Sequence, residues 1–165
     1  MVRSDSLRVL LFVFLTLPMA LASGSLATAD DHEASQAQVE YRQKLMSVIG
    51  TNMGAISDIL KNRLAVPGAV ANHANQMADA AALIAPAFKK ELTHGATDAK
   101  PEIWSDWAGF EAAIADYESA ARVLAAAAEG DDPGAVGSAM RGLGKSCGGC
   151  HKPFRKPKEE SYKNR

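Results

Sequence analysis

Apolar residues recur every three to four positions along most of the chain, the period of an α-helix with one buried face. From Val39 the stripe runs through Met46, Ile49, Met53, Ile56 and Leu60, with Arg42 on the same line. It predicts a first helix over about residues 33–63, ending before Val66-Pro67-Gly68. A second helix follows Pro67, with Val70, His73, Met77, Ala80, Ile84 and either Ala87 or Phe88 on one face, and stops by His94-Gly95. Pro86 should bend it or remove one hydrogen bond near its end. Pro101 suits a first helical turn, and a third helix then shows Trp104, Trp107, Phe110, Ile114, Tyr117, Ala121, Leu124 and Ala128 before Gly130. Asp132-Pro133 reads as a cap followed by a first-turn proline, opening a fourth helix with Val136, Met140, Leu143, Cys147, Cys150 and Phe154 in steps of three and four.

Four long amphipathic helices joined by short connections predict an all-α chain, an antiparallel four-helix bundle. Gly50 and Gly54, four apart on the first helix, fit either close helix packing or room for a flat ligand face. Residues 1–29 read as an export signal: Arg3 and Arg8, an apolar run from Val9 to Leu21 too short for an ordinary membrane span, and a small-x-small site at Ala27-Thr28-Ala29. The alternative is an uncleaved membrane anchor. Cleavage after Ala29 leaves 136 residues from Asp30, enough for one domain with a real core.

The full chain has a formal net charge of −1, and the segment after the signal about −2, which gives no support for nucleic-acid binding. Distribution matters more than the total. Residues 152–165 hold six positive and two negative charges, a basic tail that either steers docking to an acidic partner or is a solvated terminus cut short by Pro153 and Pro157. No triad, paired-carboxylate site or phosphate loop stands out, so an enzyme is not expected.

The candidate chemistry lies at Cys147-Gly148-Gly149-Cys150-His151, which contains both cysteines of the chain. The spacing C-x-x-C-H reads as a c-type haem attachment site: two thiols three residues apart form thioethers with the haem vinyl groups, and the adjacent imidazole reaches the iron. On a helix, positions i, i+3 and i+4 share a face, so Cys147, Cys150 and His151 point at one porphyrin. The bundle would then hold one covalent haem c within its core. A thioredoxin-like pair, half a zinc site and a plain disulfide are the competing readings. They lack, respectively, a preceding strand, a second Cys/His pair and a loop long enough to constrain.

The haem motif on the last helix, Arg42-Gln43-Lys44-Leu45-Met46 on the first and Lys100-Pro101-Glu102-Ile103-Trp104 at the start of the third together resemble the class II cytochromes c, which include the cytochromes c′ and their low-spin relatives. The resemblance covers nearly all of the chain after the signal. It implies His151 as proximal ligand, a periplasmic location and a possible homodimer through the first two helices. In low-spin members a methionine matching Met46 is the sixth ligand, whereas in cytochromes c′ the residue there blocks the pocket without bonding. Met46 as a ligand suits a one-electron carrier, the main expectation; an open site suits a protein that binds nitric oxide or carbon monoxide. Met46 as a flexible core filler is the bland alternative. Arg42 is expected to reach a haem propionate or line the distal pocket, or else to be solvated. Arg155 faces the same choice between haem and tail, and His73 is the weaker candidate ligand, more naturally a packed residue.

Overall fold

The computed structural model describes the backbone of residues 24–130 and 132–164 and the side chains of residues 31–130 and 132–164. The apolar run from Val9 to Leu21 lies outside the described residues. Six α-helices account for most of the described chain: α1 Gly24–Asn62, α2 Ala69–Ala81, α3 Ile84–Phe88, α4 Glu102–Ser105, α5 Trp107–Glu129 and α6 Pro133–Phe154. Among the described residues, none of these helices is long and apolar enough to cross a membrane. The first helix begins earlier than its periodicity suggested, and its N-terminal end runs through Ala27-Thr28-Ala29.

Two of the four expected helices are broken, each for a local reason. Pro86 has no N–H to give the carbonyl of Ala82, and its ring crowds that carbonyl, so α2 stops at Ala81 and the chain turns through Ala82 and Leu83 before α3. The helix resumes with the Ala87 N–H donating to the Leu83 carbonyl at 3.1 Å. At Asp106 the backbone leaves the helix (φ −128°, ψ 58°), separating α4 from α5. The Asp106 carboxylate then accepts from the Gly109 N–H at 3.1 Å and caps α5, while the Phe110 N–H donates to the Asp106 carbonyl. Gly130 and Asp132-Pro133 behave as expected: α5 stops at Glu129, and the Asp132 carboxylate accepts from the Gly134 N–H at 2.8 Å with Pro133 in the first turn of α6. Gly68 supplies the left-handed conformation (φ 72°) that turns the chain into α2.

The bundle packs α2 against α1 and α5, and α5 against α6. Ile56, Met77, Leu124 and Leu143 are fully buried along these contacts, and alanines of α2 and α5, including Ala74, Ala78 and Ala121, let the helices come close. Phe110 is the hub at one end, with ring centroids 5.4 Å from Phe88, 5.6 Å from Trp107 and 5.3 Å from Phe154. The fourth side of the bundle is different. Helices α1 and α6 barely touch, and a cavity lies between them.

Pro153 does not stop α6, which continues to Phe154. Beyond it the basic tail is folded, not free. Arg155 forms an isolated antiparallel bridge with Ala99, two 3-10 turns follow at Lys158–Glu160 and Tyr162–Asn164, and Ser161 is buried.

Candidate functional site

The gap between α1 and α6 is a cavity of about 550 Å³. Periodicity explains its two walls. On α1, Val39, Arg42, Met46, Ile49, Gly50 and Met53 fall on one helical face; on α6, Cys147, Cys150, His151 and Phe154 do the same. Met77, Ile84 and Phe88 from α2 and α3, and Phe110, Ile114 and Tyr117 from α5, form the floor. The lining is mostly apolar.

The motif residues are therefore brought together with Met46, on facing helices of one cavity. Cys147 and Cys150 are half-buried and are not bonded to each other, which leaves the plain disulfide reading without support. Burial pushes both thiols above the ordinary cysteine range. For Cys150, burial and then the charge of Cys147 bring the value to about 11, and for Cys147 weak hydrogen bonding offsets only part of the rise. Burial, and secondarily the positive charge of Arg155, lower the pKa of His151. Its ring is neutral at pH 7, the form that binds a metal.

Arg42 is buried, at 3% exposure, and the solvated alternative does not hold. Its Nε–H donates to the Ala87 carbonyl at 2.9 Å, Nη1 to the Leu92 carbonyl at 3.3 Å and Nη2 to the Lys90 carbonyl, so the guanidinium closes the open C-terminal end of α3. It also lies 4.6 Å from the Phe88 ring centroid and 5.4 Å from that of Trp104. Burial lowers its pKa to about 10, which leaves it charged at neutral pH. One edge of Arg42 borders the cavity, but its hydrogen bonds go to the backbone. Sequence reading missed this because the acceptors are carbonyls 45 to 50 residues away.

His73 is not among the cavity residues; its Nδ1 is 2.7 Å from Asn52 Oδ1 across the α1–α2 contact, which makes it a packed residue. Gly50 borders the cavity, and a Cβ there would meet nothing within 4 Å, as would one at Gly54. Neither glycine serves close helix packing. Tyr117 was expected only as a core residue. Its hydroxyl donates to the Met77 carbonyl at 2.8 Å on the cavity floor, and burial raises its pKa. Asp98, Arg155, Tyr162 and Lys163 complete the cavity rim near the C-terminal end of α6, and of these only Arg155 was singled out by the sequence.

These features suit a flat, largely apolar cofactor carried on two thiols. The donor set is two thiols and a neutral imidazole on one wall, the opposite wall offers apolar side chains with a thioether, and the volume falls within the range of ligand sites.

Comparison with known proteins bears on the same features. The cytochrome C′ family model matches residues 37–155. The chain is 37% identical to the cytochrome c′ of Rhodospirillum rubrum over 82% of its own length and 93% of that protein's. It is 32% identical to cytochrome c-556 of Rhodopseudomonas palustris, over 84% of this chain and 97% of that one. Among solved structures, the nitric oxide complex of a cytochrome c prime variant from Alcaligenes xylosoxidans superposes with a TM-score of 0.66 at 30% identity, covering 75% of this chain and 97% of that one. Fold, cavity and sequence thus agree: the chain belongs to the cytochrome C′ family of class II cytochromes c, and is a c-type haem protein with one covalently bound haem.

Proposed function

We propose that the protein is a periplasmic haem protein that binds nitric oxide or carbon monoxide. Cys147 and Cys150 would hold the porphyrin, His151 would bind its iron, and Met46 would be an apolar lid that leaves the iron able to take a small gas. The observation that carries this is the unclosed α1–α6 side of the bundle, where the motif residues face an apolar α1 wall across one cavity. The resemblance to a nitric oxide complex favours the gas-binding reading over the axial sulfur.

When bound, haem c supplies an iron that takes a diatomic ligand and changes oxidation state. The chain's own residues do the rest. The C-x-x-C spacing fixes the ring against α6, and the neutral imidazole of His151 offers a lone pair. Ile49 and Met53 keep the facing wall apolar and Ile114 the floor, which disfavours water and charged ligands and leaves small neutral ones. Arg42 shapes the wall rather than binding a propionate, because its donors are held by α3 and the segment after it.

One-electron transfer with Met46 as sixth ligand is the second reading. It is favoured by the half-buried Met46 in the cavity and by the similarity to cytochrome c-556. Export rests on the N-terminal pattern of Arg3, Arg8 and Ala27-Thr28-Ala29. A homodimer would use the outer face of α1, where Tyr41 and Val48 are exposed. Docking of an acidic redox partner on the basic tail is weakened as an idea, because Lys156 Nζ donates to the Thr97 carbonyl and the tail is folded onto the bundle. Visible spectra of the oxidised and reduced holoprotein, with and without carbon monoxide and with Met46→Ala, test the proposal. A spectrum insensitive to Met46→Ala and sensitive to the gas supports it; low-spin bands lost in Met46→Ala would move the assignment to electron transfer.

A further inference from the structure

The family match ends at Arg155, yet the chain continues through nine more described residues, and these are folded against the cavity rim. The attachment point is Asp98. Its Oδ2 accepts from the Ser161 hydroxyl at 2.9 Å, its Oδ1 accepts from the Tyr162 N–H at 2.9 Å, and Arg155 Nη2 lies 3.5 Å from Oδ2. The backbone adds to this. The Lys156 N–H donates to the Asp98 carbonyl at 2.8 Å, and the Lys100 N–H to the Phe154 carbonyl at 3.1 Å. The Asp98 side chain is only 10% exposed, so these bonds form away from bulk water, where each is worth more than at the surface. Tyr162 and Lys163, delivered by that pin, line the same cavity as His151.

We infer that residues 156–164 form a strap, pinned by Asp98, that closes one edge of the haem cavity and limits which reagents reach the haem there. The segment has little apolar anchoring: it lies outside the hydrophobic core cluster, and Ser161 is its one buried residue. Its position therefore depends on a few polar bonds, from Ser161 and Tyr162 to the Asp98 carboxylate and from Lys156 to the Asp98 and Thr97 carbonyls, and a segment held in this way opens at far lower cost than the helices it covers. Arg155 is held from both sides, by the Ala99 bridge and by Asp98, so the pin also fixes a positive charge at the rim. Asp98 is thus a positioning residue acting through Arg155, Tyr162 and Lys163. The inference rests on haem filling this cavity, not on which ligand the iron takes.

The test uses the red holoprotein, its Asp98→Asn variant and a chain stopped after Lys156. Trypsin cleavage at Lys158 reports release of the strap, stopped-flow reduction of the ferric protein by ascorbate reports access, and redox titration reports the potential. Asp98→Asn should be cut faster at Lys158. Both variants should be reduced at least about threefold faster than the parent after correction for any change in the measured potential, with unchanged helical circular dichroism. Equal reduction rates in the parent and the shortened chain would overturn the strap as a barrier. A Lys158 cleavage rate unmoved by Asp98→Asn would overturn Asp98 as its pin. A colourless parent protein would instead overturn the haem reading, a failure distinct from unchanged rates in a red one.

Discussion

Replacing Arg42 with alanine tests whether a buried cation can be purely architectural. The Ala87 carbonyl keeps a second donor, Gln38 Nε2 at 2.7 Å, so it stays satisfied. The Leu92 and Lys90 carbonyls lose their guanidinium partner, at about 1 kcal/mol each because both are only partly buried. Loss of the cation over Phe88 adds about 1 kcal/mol, and the void left by the stem about another. Against these stands the relief of no longer burying a charge, the same desolvation that lowers Arg42 to about 10. The net expectation is a loss of roughly 2–4 kcal/mol, or about 6–14 °C in the melting temperature of a domain this size. Urea unfolding of the holoprotein, followed by far-ultraviolet circular dichroism, measures it. Arg42→Lys, whose point charge cannot reach three divergent carbonyls, should recover less than half. A loss below about 1 kcal/mol for the alanine variant, or full recovery by lysine, would refute the reasoning.

Three further outcomes follow from the same geometry. Burial alone would raise the pKa of Asp98, but the Tyr162 N–H, the Ser161 hydroxyl and Arg155 outweigh it and hold it low; its contribution to stability is complete above about pH 4, the ordinary carboxylate range, and is lost as pH falls through the lowered value, so Asp98→Asn should flatten acid unfolding measured by circular dichroism below pH 4. Tyr117→Phe removes the donor to the Met77 carbonyl and should cost about 1 kcal/mol in urea unfolding while leaving the haem content of the purified protein unchanged. Val48→Glu, on the outer face of α1, should convert the proposed dimer to a monomer in sedimentation velocity without altering the visible spectrum.

What could be read from the sequence was what local chemistry determines. The cap at Asp132, the proline at 133 and the terminus at Gly130 act within a few residues, so α6 and the end of α5 fall where periodicity and caps put them. The haem motif is equally local, and its spacing on a helix already implied that Cys147, Cys150 and His151 share a wall. The breaks at Ala82-Leu83 and Asp106 had local signals too. Pro86 acts on the carbonyl four residues earlier, and Asp106, a preferred cap residue, outcompetes the continuous apolar stripe through Trp104 and Trp107. The remaining features are non-local. Arg42 finds its carbonyls, and Ser161 its carboxylate 63 residues away, only because the bundle brings those segments together. Single-sequence patterns carry no trace of such pairs, which is why the tail read as either a docking surface or a solvated terminus and why the carbonyl partners of Arg42 went unseen.

In the proposed gas-binding site, His151 would hold the haem iron and Met46 would cover the cavity without bonding to it. The most direct test is the visible spectrum of the ferrous holoprotein before and after carbon monoxide, recorded for the parent and for Met46→Ala. A gas-binding site gives a broad high-spin spectrum in both, converted by the gas in both. Sharp low-spin bands in the parent, resistant to carbon monoxide and abolished by Met46→Ala, would contradict it.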